Sequence, residues 1–167
     1  MVSKRAWRES YYWQEKGDLM LGLRLVRLIE KHSEEIAAGL TSRLHSSERT
    51  RGYRNVGEDE LRIALVSLYA HLEEWLLNKS DGDVERHFRE VGGRRAKQGI
   101  PPSQVAWALM MSKSALWAFV YREGGADKAL ELFGELELLE SLNGFFDRAV
   151  YYALAGYEQQ ARGSRAA

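Results

Sequence analysis

Residues 91–105 of the chain are VGGRRAKQGIPPSQV, and this stretch decides the fold. It contains both prolines of the protein, Pro101 and Pro102. Proline is harmless in the first turn of a helix, where its missing N–H would have no partner, so the pair predicts a helix start. Gly99, just before them, predicts the end of the preceding helix. The stretch is therefore expected to form a corner between two helices.

Apolar residues recur at every third or fourth position on both sides of this corner, which predicts an all-α protein. We expect at least about 65% helix and no sheet. The helix after the prolines is apolar almost all round, so it should be central and the most buried, with Trp107 and Trp117 largely shielded. A long C-terminal helix closes the bundle. Helices are expected over residues 4–16, 18–44, 58–76, 84–95, 102–122 and 127–160, with a polar loop at 46–57 and a turn at 80–83 that ends in the capping residue Asp83.

Composition excludes several classes of protein. The 167 residues carry 24 Lys and Arg against 24 Asp and Glu, and this balance argues against a strongly basic nucleic-acid-binding protein. With no cysteine, disulfides, thiolate metal sites and cysteine nucleophiles are excluded. No signal peptide or bilayer-spanning segment is visible, so we expect a cytoplasmic protein with neither a membrane nor a nucleic acid as partner.

No pattern in the sequence indicates an enzyme. Motifs for a nucleophile elbow, a phosphate-binding loop or a zinc protease are missing, and the carboxylates fall on solvated helix faces. The four histidines are isolated from one another, and no metal site is predicted. The high aromatic content is typical of core and interface packing, or of an apolar pocket beside the central helix. Candidate residues for such a pocket are His32, Leu68, His71, Trp107, Met111 and Trp117.

Two basic clusters stand out, one around residues 43–54 and one formed by Arg94, Arg95 and Lys97. The second cluster comes at the end of a predicted helix. Basic side chains there complement the negative end of the helix dipole, which is the ordinary explanation. A contact patch for an acidic partner is the other explanation.

The corner sequence, followed by Lys113-Ser-Ala-Leu-Trp117, resembles the N-terminal sensor domain of the stressosome co-antagonist proteins of the RsbR type, a non-haem globin family. The resemblance covers a glycine, a basic residue with alanine, Gln-Gly-Ile-Pro, a helix entry and a tryptophan one helix later. It implies a globin-like, non-catalytic regulatory domain that dimerises and relays a signal through its C-terminal helix. A downstream kinase or anti-sigma-antagonist type of protein or domain is the implied partner.

The same stretch is also similar to the haem-binding globin-coupled sensors, which makes a haem sensor of a diatomic gas the alternative. In those sensors a proximal histidine precedes the corner glycine by four residues. Here that position is Arg95, whose guanidinium cannot ligate iron. The expected cofactor is therefore none, and the alternative would need His87 or His32 as the ligand.

The chain is expected to comprise an N-terminal helical extension (1–17), a globin-like sensor domain (18–160) and a flexible tail (161–167). The end of the last helix and the N-terminal segment are both rich in aromatic residues, which are a liability unless a partner covers them. We therefore predict a two-fold homodimer. The interface is predicted to involve Trp7, Tyr11, Tyr12, Phe145, Ala149 and Tyr152.

Overall fold

The computed structural model describes residues 23–123 and 129–166. Of these residues, 91% are helical and none forms a strand, which confirms the all-α prediction. The predicted N-terminal extension, with Trp7, Tyr11 and Tyr12, lies outside the described residues. The elements are a helix over residues 23–31 (α1), α2 (Ser33–Ser46), a 3-10 helix (Glu48–Asn55), α3 (Glu58–Tyr69), a π-helical turn (Glu74–Asn78), α4 (Asp81–Lys97), α5 (Pro102–Glu123) and α6 (Ala129–Ala166).

The corner between α4 and α5 forms as the sequence predicts. Gly99 has a φ of 69°, a left-handed conformation that favours glycine because it has no Cβ. The N–H of Ile100 donates a hydrogen bond of 3.1 Å to the carbonyl of Arg95, which closes the end of α4. Pro102 is the first residue of α5. The side chain of Ile100 is buried, so the corner is anchored in the core.

The expected single helix over residues 18–44 is interrupted at His32. This residue has φ −106° and ψ 18°, outside the helical region, and α2 starts immediately after it. The imidazole packs against the ring of Phe119 on α5, with 5.2 Å between the centroids. Its Nδ1 also lies 3.4 Å from a carboxylate oxygen of Glu35. The break is thus accompanied by packing against α5, which apolar spacing within one helix does not encode.

The polar stretch predicted to be a loop is a 3-10 helix, so this prediction is wrong. Two side chains hold it in place. The hydroxyl of Ser47 accepts a hydrogen bond from the N–H of Arg49, and the hydroxyl of Thr50 donates one of 2.8 Å to the carbonyl of Leu44. Tyr53 is buried, so this element contributes to the core. Local hydrogen bonds of this kind order a segment whose composition is that of a loop.

The predicted helix over residues 58–76 ends early, at Tyr69. The phenol of this residue is buried and donates a hydrogen bond of 3.1 Å to the carbonyl of Ser112 on α5. A π-helical turn follows at Glu74–Asn78. The next helix starts at Asp81 and is capped by Ser80 rather than by Asp83, the predicted cap. Asp83 instead completes a capping box, in which each residue's side chain binds the other's backbone N–H.

Helix α5 is central, as predicted, because it contacts α2, the 3-10 helix, α4 and α6. Its buried side chains include Leu116 and Phe119. Trp107 and Trp117 are partly buried and pack against the core. However, α5 is not enclosed all round, since Met110 is 45% exposed and Tyr121 is 77% exposed.

Helices α4 and α6 form the most extensive packing of the bundle, and they run parallel. At one end the guanidinium of Arg148 lies 3.2 Å from a carboxylate oxygen of Asp81, and further along both helices Gly93 faces Gln160. The residues that contact one another therefore follow the same order along both helices. Because α6 continues to Ala166 beside the end of α4, the residues predicted to be a flexible tail are, as far as 166, helical.

Candidate functional site

The six residues predicted to line an apolar pocket lie in different surroundings. Leu68 and Met111 are buried in the core. Trp107 lies under the guanidinium of Arg49, which is 4.6 Å from the ring centroid. Trp117 instead contacts the ring of Tyr121, at a centroid distance of 6.1 Å.

The two histidines of that predicted pocket are also apart. His32 packs against Phe119, on the inner side of α5. His71 is exposed, and its Nδ1 is 2.9 Å from the carbonyl of Ser67, four residues earlier. The sequence predicts His71 as a residue of an apolar pocket, and its exposure corrects this prediction. The chain leaves α-helical geometry at this point, so the ring turns towards solvent.

Two of the residues predicted to lie at a dimer interface are buried within their own chain, which corrects the prediction for them. Phe145 and Ala149 are completely buried within their own chain, on the face of α6 that packs against α4 and the π-helical turn. They offer no surface to a second copy. Tyr152 is partly exposed, and its hydroxyl donates a hydrogen bond of 2.6 Å to Asp81. Tyr151 is not among the predicted interface residues, yet it is 67% exposed.

Arg95 is the most unusual polar residue of the core, since only 5% of it is exposed. Its Nη1 donates hydrogen bonds of 2.6 Å to Oε1 of Glu60, at the start of α3, and of 2.7 Å to Oε1 of Gln98. The guanidinium also lies 5.5 Å from the ring centroid of Tyr53. This arrangement joins α3, α4 and the 3-10 helix at the corner that the sequence singles out.

The ionisation of this cluster follows from its contacts. Burial raises the pKa of the Glu60 carboxyl, but hydrogen bonds from Arg95 and Gln98 and the charges of Arg95 and Arg94 outweigh it, so the pKa lies below its ordinary value. Burial raises the pKa of the Tyr53 phenol to about 12, against a smaller lowering by the charge of Arg95. At neutral pH the cluster therefore holds one cation, one carboxylate and one neutral phenol.

Two residues that bear on the haem alternative, Arg95 and His87, contact other side chains of the bundle. The guanidinium of Arg95 is occupied by Glu60 and Gln98 and stays protonated, so it cannot bind iron. His87 packs against the rings of Trp75 and Phe88, with centroid distances of 4.8 and 4.9 Å. Burial lowers the pKa of its imidazole. In the part of the chain that the structure describes, no group of three or more histidine or acidic side chains could hold a metal ion.

Helices α4 and α6 touch through their backbones at two glycines. A Cβ placed on Gly92 would lie 1.7 Å from the carbonyl oxygen of Ala153, and one on Gly156 would lie 2.2 Å from that of Arg89. Only glycine permits this approach. Neither contact was predicted from the sequence, although the glycines at 92, 93 and 156 within predicted helices were the available signal. Glu60 was missed as well, because 35 residues separate it from Arg95.

The family model of the N-terminal domain of the RsbT co-antagonist protein rsbRD matches residues 33–167. The chain belongs to this family. The match runs from the start of α2 to the end of the chain, so it covers the residues of the Arg95 cluster and of the α4–α6 packing. Neither the curated proteins nor the solved structures include a significant match.

Family membership confirms the resemblance drawn from the corner sequence. It makes the chain a regulatory sensor domain of the stressosome family, which is a non-catalytic family. Among the described residues, none of the helices is sufficiently long and apolar to span a bilayer.

Proposed function

We propose that this chain is a cytoplasmic, non-haem sensor domain of globin type, which dimerises and passes a signal to an RsbT-type protein through α6. The observation that carries the proposal is the family match, which includes the whole of α6. The element order around the corner supports the globin-type arrangement, because α4, the Gly99 corner and α5 follow one another as the resemblance implies.

The close packing of α4 against α6 supports a relay through these helices. Backbone contact at Gly92 and Gly156 leaves no side chain between the helices that could absorb a small movement. A shift of α4 is therefore expected to move α6 as well. Arg95 and Glu60 tie the end of α4 to the start of α3, so a change on the other side of the bundle can reach α4. A signal would act by favouring one of two packings of these helices.

The Arg95 cluster supports the non-haem assignment. At the position that the resemblance matches to the proximal ligand, the buried guanidinium of Arg95 forms hydrogen bonds with the side chains of Glu60 and Gln98. We expect no stoichiometric haem uptake when the purified protein is titrated with haem and followed at the Soret band. A shifted Soret band at one haem per chain would contradict this part of the proposal.

The relay is tested by co-expressing the protein with an affinity tag and the RsbT-type protein of its own genome. We expect the two proteins to elute together. Gly156→Val, which separates α4 from α6, is expected to change the retained amount at least threefold. Gly39→Val, on α2, is the matched control, because Gly39 is exposed and a Cβ there meets no atom within 4 Å. Circular dichroism establishes that both variants remain helical.

The absence of co-elution, or equal retention by both folded variants, would contradict the relay. If Gly156→Val fails to fold, Gly156→Ala replaces it in the same comparison. A smaller side chain still brings a Cβ against the carbonyl of Arg89.

A further inference from the structure

A groove with a volume of about 650 Å³ lies between the C-terminal halves of α4 and α6. It lies beside the Gly156 contact of these two helices, on the outside of the bundle. Gly93 on α4 and Gly156 and Gly163 on α6 form part of its lining. Because Gly93 and Gly163 have no side chains, the helix backbones form part of the floor there and a ligand can approach them closely. The volume is in the range of small-ligand and peptide sites.

The walls of this groove are predominantly basic. Arg89, Arg94 and Lys97 line it, against one acidic residue, Glu90. Arg89 is engaged by Glu85, with 2.8 Å between its Nε and a carboxylate oxygen. Arg94 and Lys97 are exposed and form no ion pair with any acidic side chain that the structure describes. The net charge of zero for the whole chain shows that this basic surface is local.

The helix dipole explains only part of this arrangement. Basic residues near the end of α4 do complement its negative pole. Arg95, in the same turn, is buried and pairs with Glu60, whereas Arg94 and Lys97 line the groove. The opposite wall, on α6, presents the amides of Gln159 and Gln160, which can donate and accept hydrogen bonds. The Nε2 of Gln160 donates one of 3.3 Å to the hydroxyl of Ser164, which leaves its carbonyl oxygen as an acceptor. A peptide backbone requires both functions, and acidic side chains require the cations.

We propose that this groove binds an acidic peptide segment of a partner protein. Carboxylates of the segment pair with Arg94 and Lys97, and its main chain binds the amides of Gln159 and Gln160. Charge complementarity commits the groove to an anionic occupant. The amides of Gln159 and Gln160 favour a peptide, whose main chain they can bind. The groove offers no aromatic side chain on which bases could stack, and this argues against a nucleic acid. The inference does not depend on the relay or on dimerisation.

The test uses the isotope-labelled protein and a synthetic eight-residue peptide of alternating glutamate and glycine. Amide chemical shifts report both the affinity and the place of binding. We expect shifts concentrated at Gly93, Gly156 and Gly163, and weaker binding as salt is raised. Arg94→Glu combined with Lys97→Glu is expected to weaken binding at least tenfold. Lys31→Glu combined with Arg51→Glu is the matched control, since it makes the same charge change at exposed residues outside the groove.

A second pair of variants tests the groove without changing charge. Gly163→Leu fills the groove and is expected to weaken peptide binding at least fivefold. Gly39→Leu, on α2, is its control, because a Cβ at either glycine meets no atom within 4 Å. Equal binding by the Gly163 and Gly39 variants, or shifts that map elsewhere, would overturn the proposal. The same holds if inorganic phosphate or a single-stranded oligonucleotide of equal charge competes as well as the peptide does.

Discussion

Arg95 puts a permanent positive charge inside the protein, and Glu60 is the acid that balances it. A buried charge that loses its partner is costly, because water can no longer solvate it. Gln98 would remain as an acceptor, and the Glu60 side chain is itself 37% exposed, so the loss is expected to be smaller than for a fully buried pair. Substitution of Glu60 is still expected to lower the free energy of unfolding of the whole bundle.

Glu60→Gln is expected to lower the free energy of unfolding by about 2–3 kcal/mol, since it leaves Arg95 without a counter-charge. Urea denaturation followed by circular dichroism measures the change. Glu58→Gln is the control, because Glu58 is exposed in the same first turn of α3. It should change stability by less than about 0.5 kcal/mol. Equal effects of the two substitutions would show that the Arg95 pair contributes nothing of its own.

The same pair has a predictable pH dependence. The pKa of Glu60 in the folded protein lies below the ordinary value of 4.5, so folding favours its ionised form. Its contribution is therefore complete above pH 4.5 and is lost as the pH falls through the lower, folded pKa. The difference in stability between the wild type and Glu60→Gln should be constant from pH 7 to about pH 5 and shrink below that. A difference that grows on acidification would be inconsistent with this ionisation.

For single residues, the sequence identifies positions of structural importance better than it identifies the residues that they contact. Arg95 is identified by its place before the Gly-Ile-Pro-Pro corner. Its pairing with Glu60 depends on how α3 docks against α4, which local spacing does not encode. For the same reason local spacing wrongly predicts His71 in an apolar pocket, and Phe145 and Ala149 at an interface.

The helix contact between α4 and α6 is the element on which the relay depends. Gly156 and Gly163 lie on the same helix and differ in what surrounds them. A Cβ added at Gly156 would collide with the backbone of α4, whereas the surroundings of Gly163 are open. A substitution at Gly156 therefore tests the close packing of the two helices, whereas one at Gly163 tests helix propensity alone.

Gly156→Ala is expected to destabilise the protein by about 1–3 kcal/mol, because the helices must move apart. Gly163→Ala is expected to stabilise it by up to about 1 kcal/mol, since alanine is the better helix former. Thermal and urea denaturation of both variants provide the measurement. If both substitutions stabilise the protein, the backbones of α4 and α6 are not in contact at Gly156.

Most helices could be predicted from apolar spacing and from the prolines and glycines at the corner. The 3-10 helix could not, because the hydrogen bond that Ser47 accepts from Arg49 and the one that Thr50 donates to Leu44 order a stretch with the composition of a loop. The break at His32 and the π-helical turn at Glu74–Asn78 were also missed. Both lie where a helix departs from regular geometry as it packs on its neighbours. Spacing within one helix contains no information about such contacts.

The whole molecule presents large apolar side chains to solvent on several faces. Tyr121 and Tyr151 are 77% and 67% exposed, and Met110 is 45% exposed. Exposed aromatic residues of this kind are typical anchors of protein interfaces. Since Phe145 and Ala149 are internal, the proposed second copy would have to meet an outer face of α6, where Tyr151 and, nearer the start of the helix, Leu136 are exposed. A stable interface would bury on the order of 1,600 Å² in total.

Light scattering of the purified chain at micromolar concentration tests most directly whether this domain is a dimeric signalling unit. A dimer gives a mass of twice 19.1 kDa, and this is the result we expect. We also expect Tyr151→Glu, a change at an exposed position, to shift the equilibrium towards the monomer without loss of helix, whereas Ser42→Glu, at an exposed position on α2, should not. A single mass of 19.1 kDa for the wild type across that concentration range would contradict the dimer.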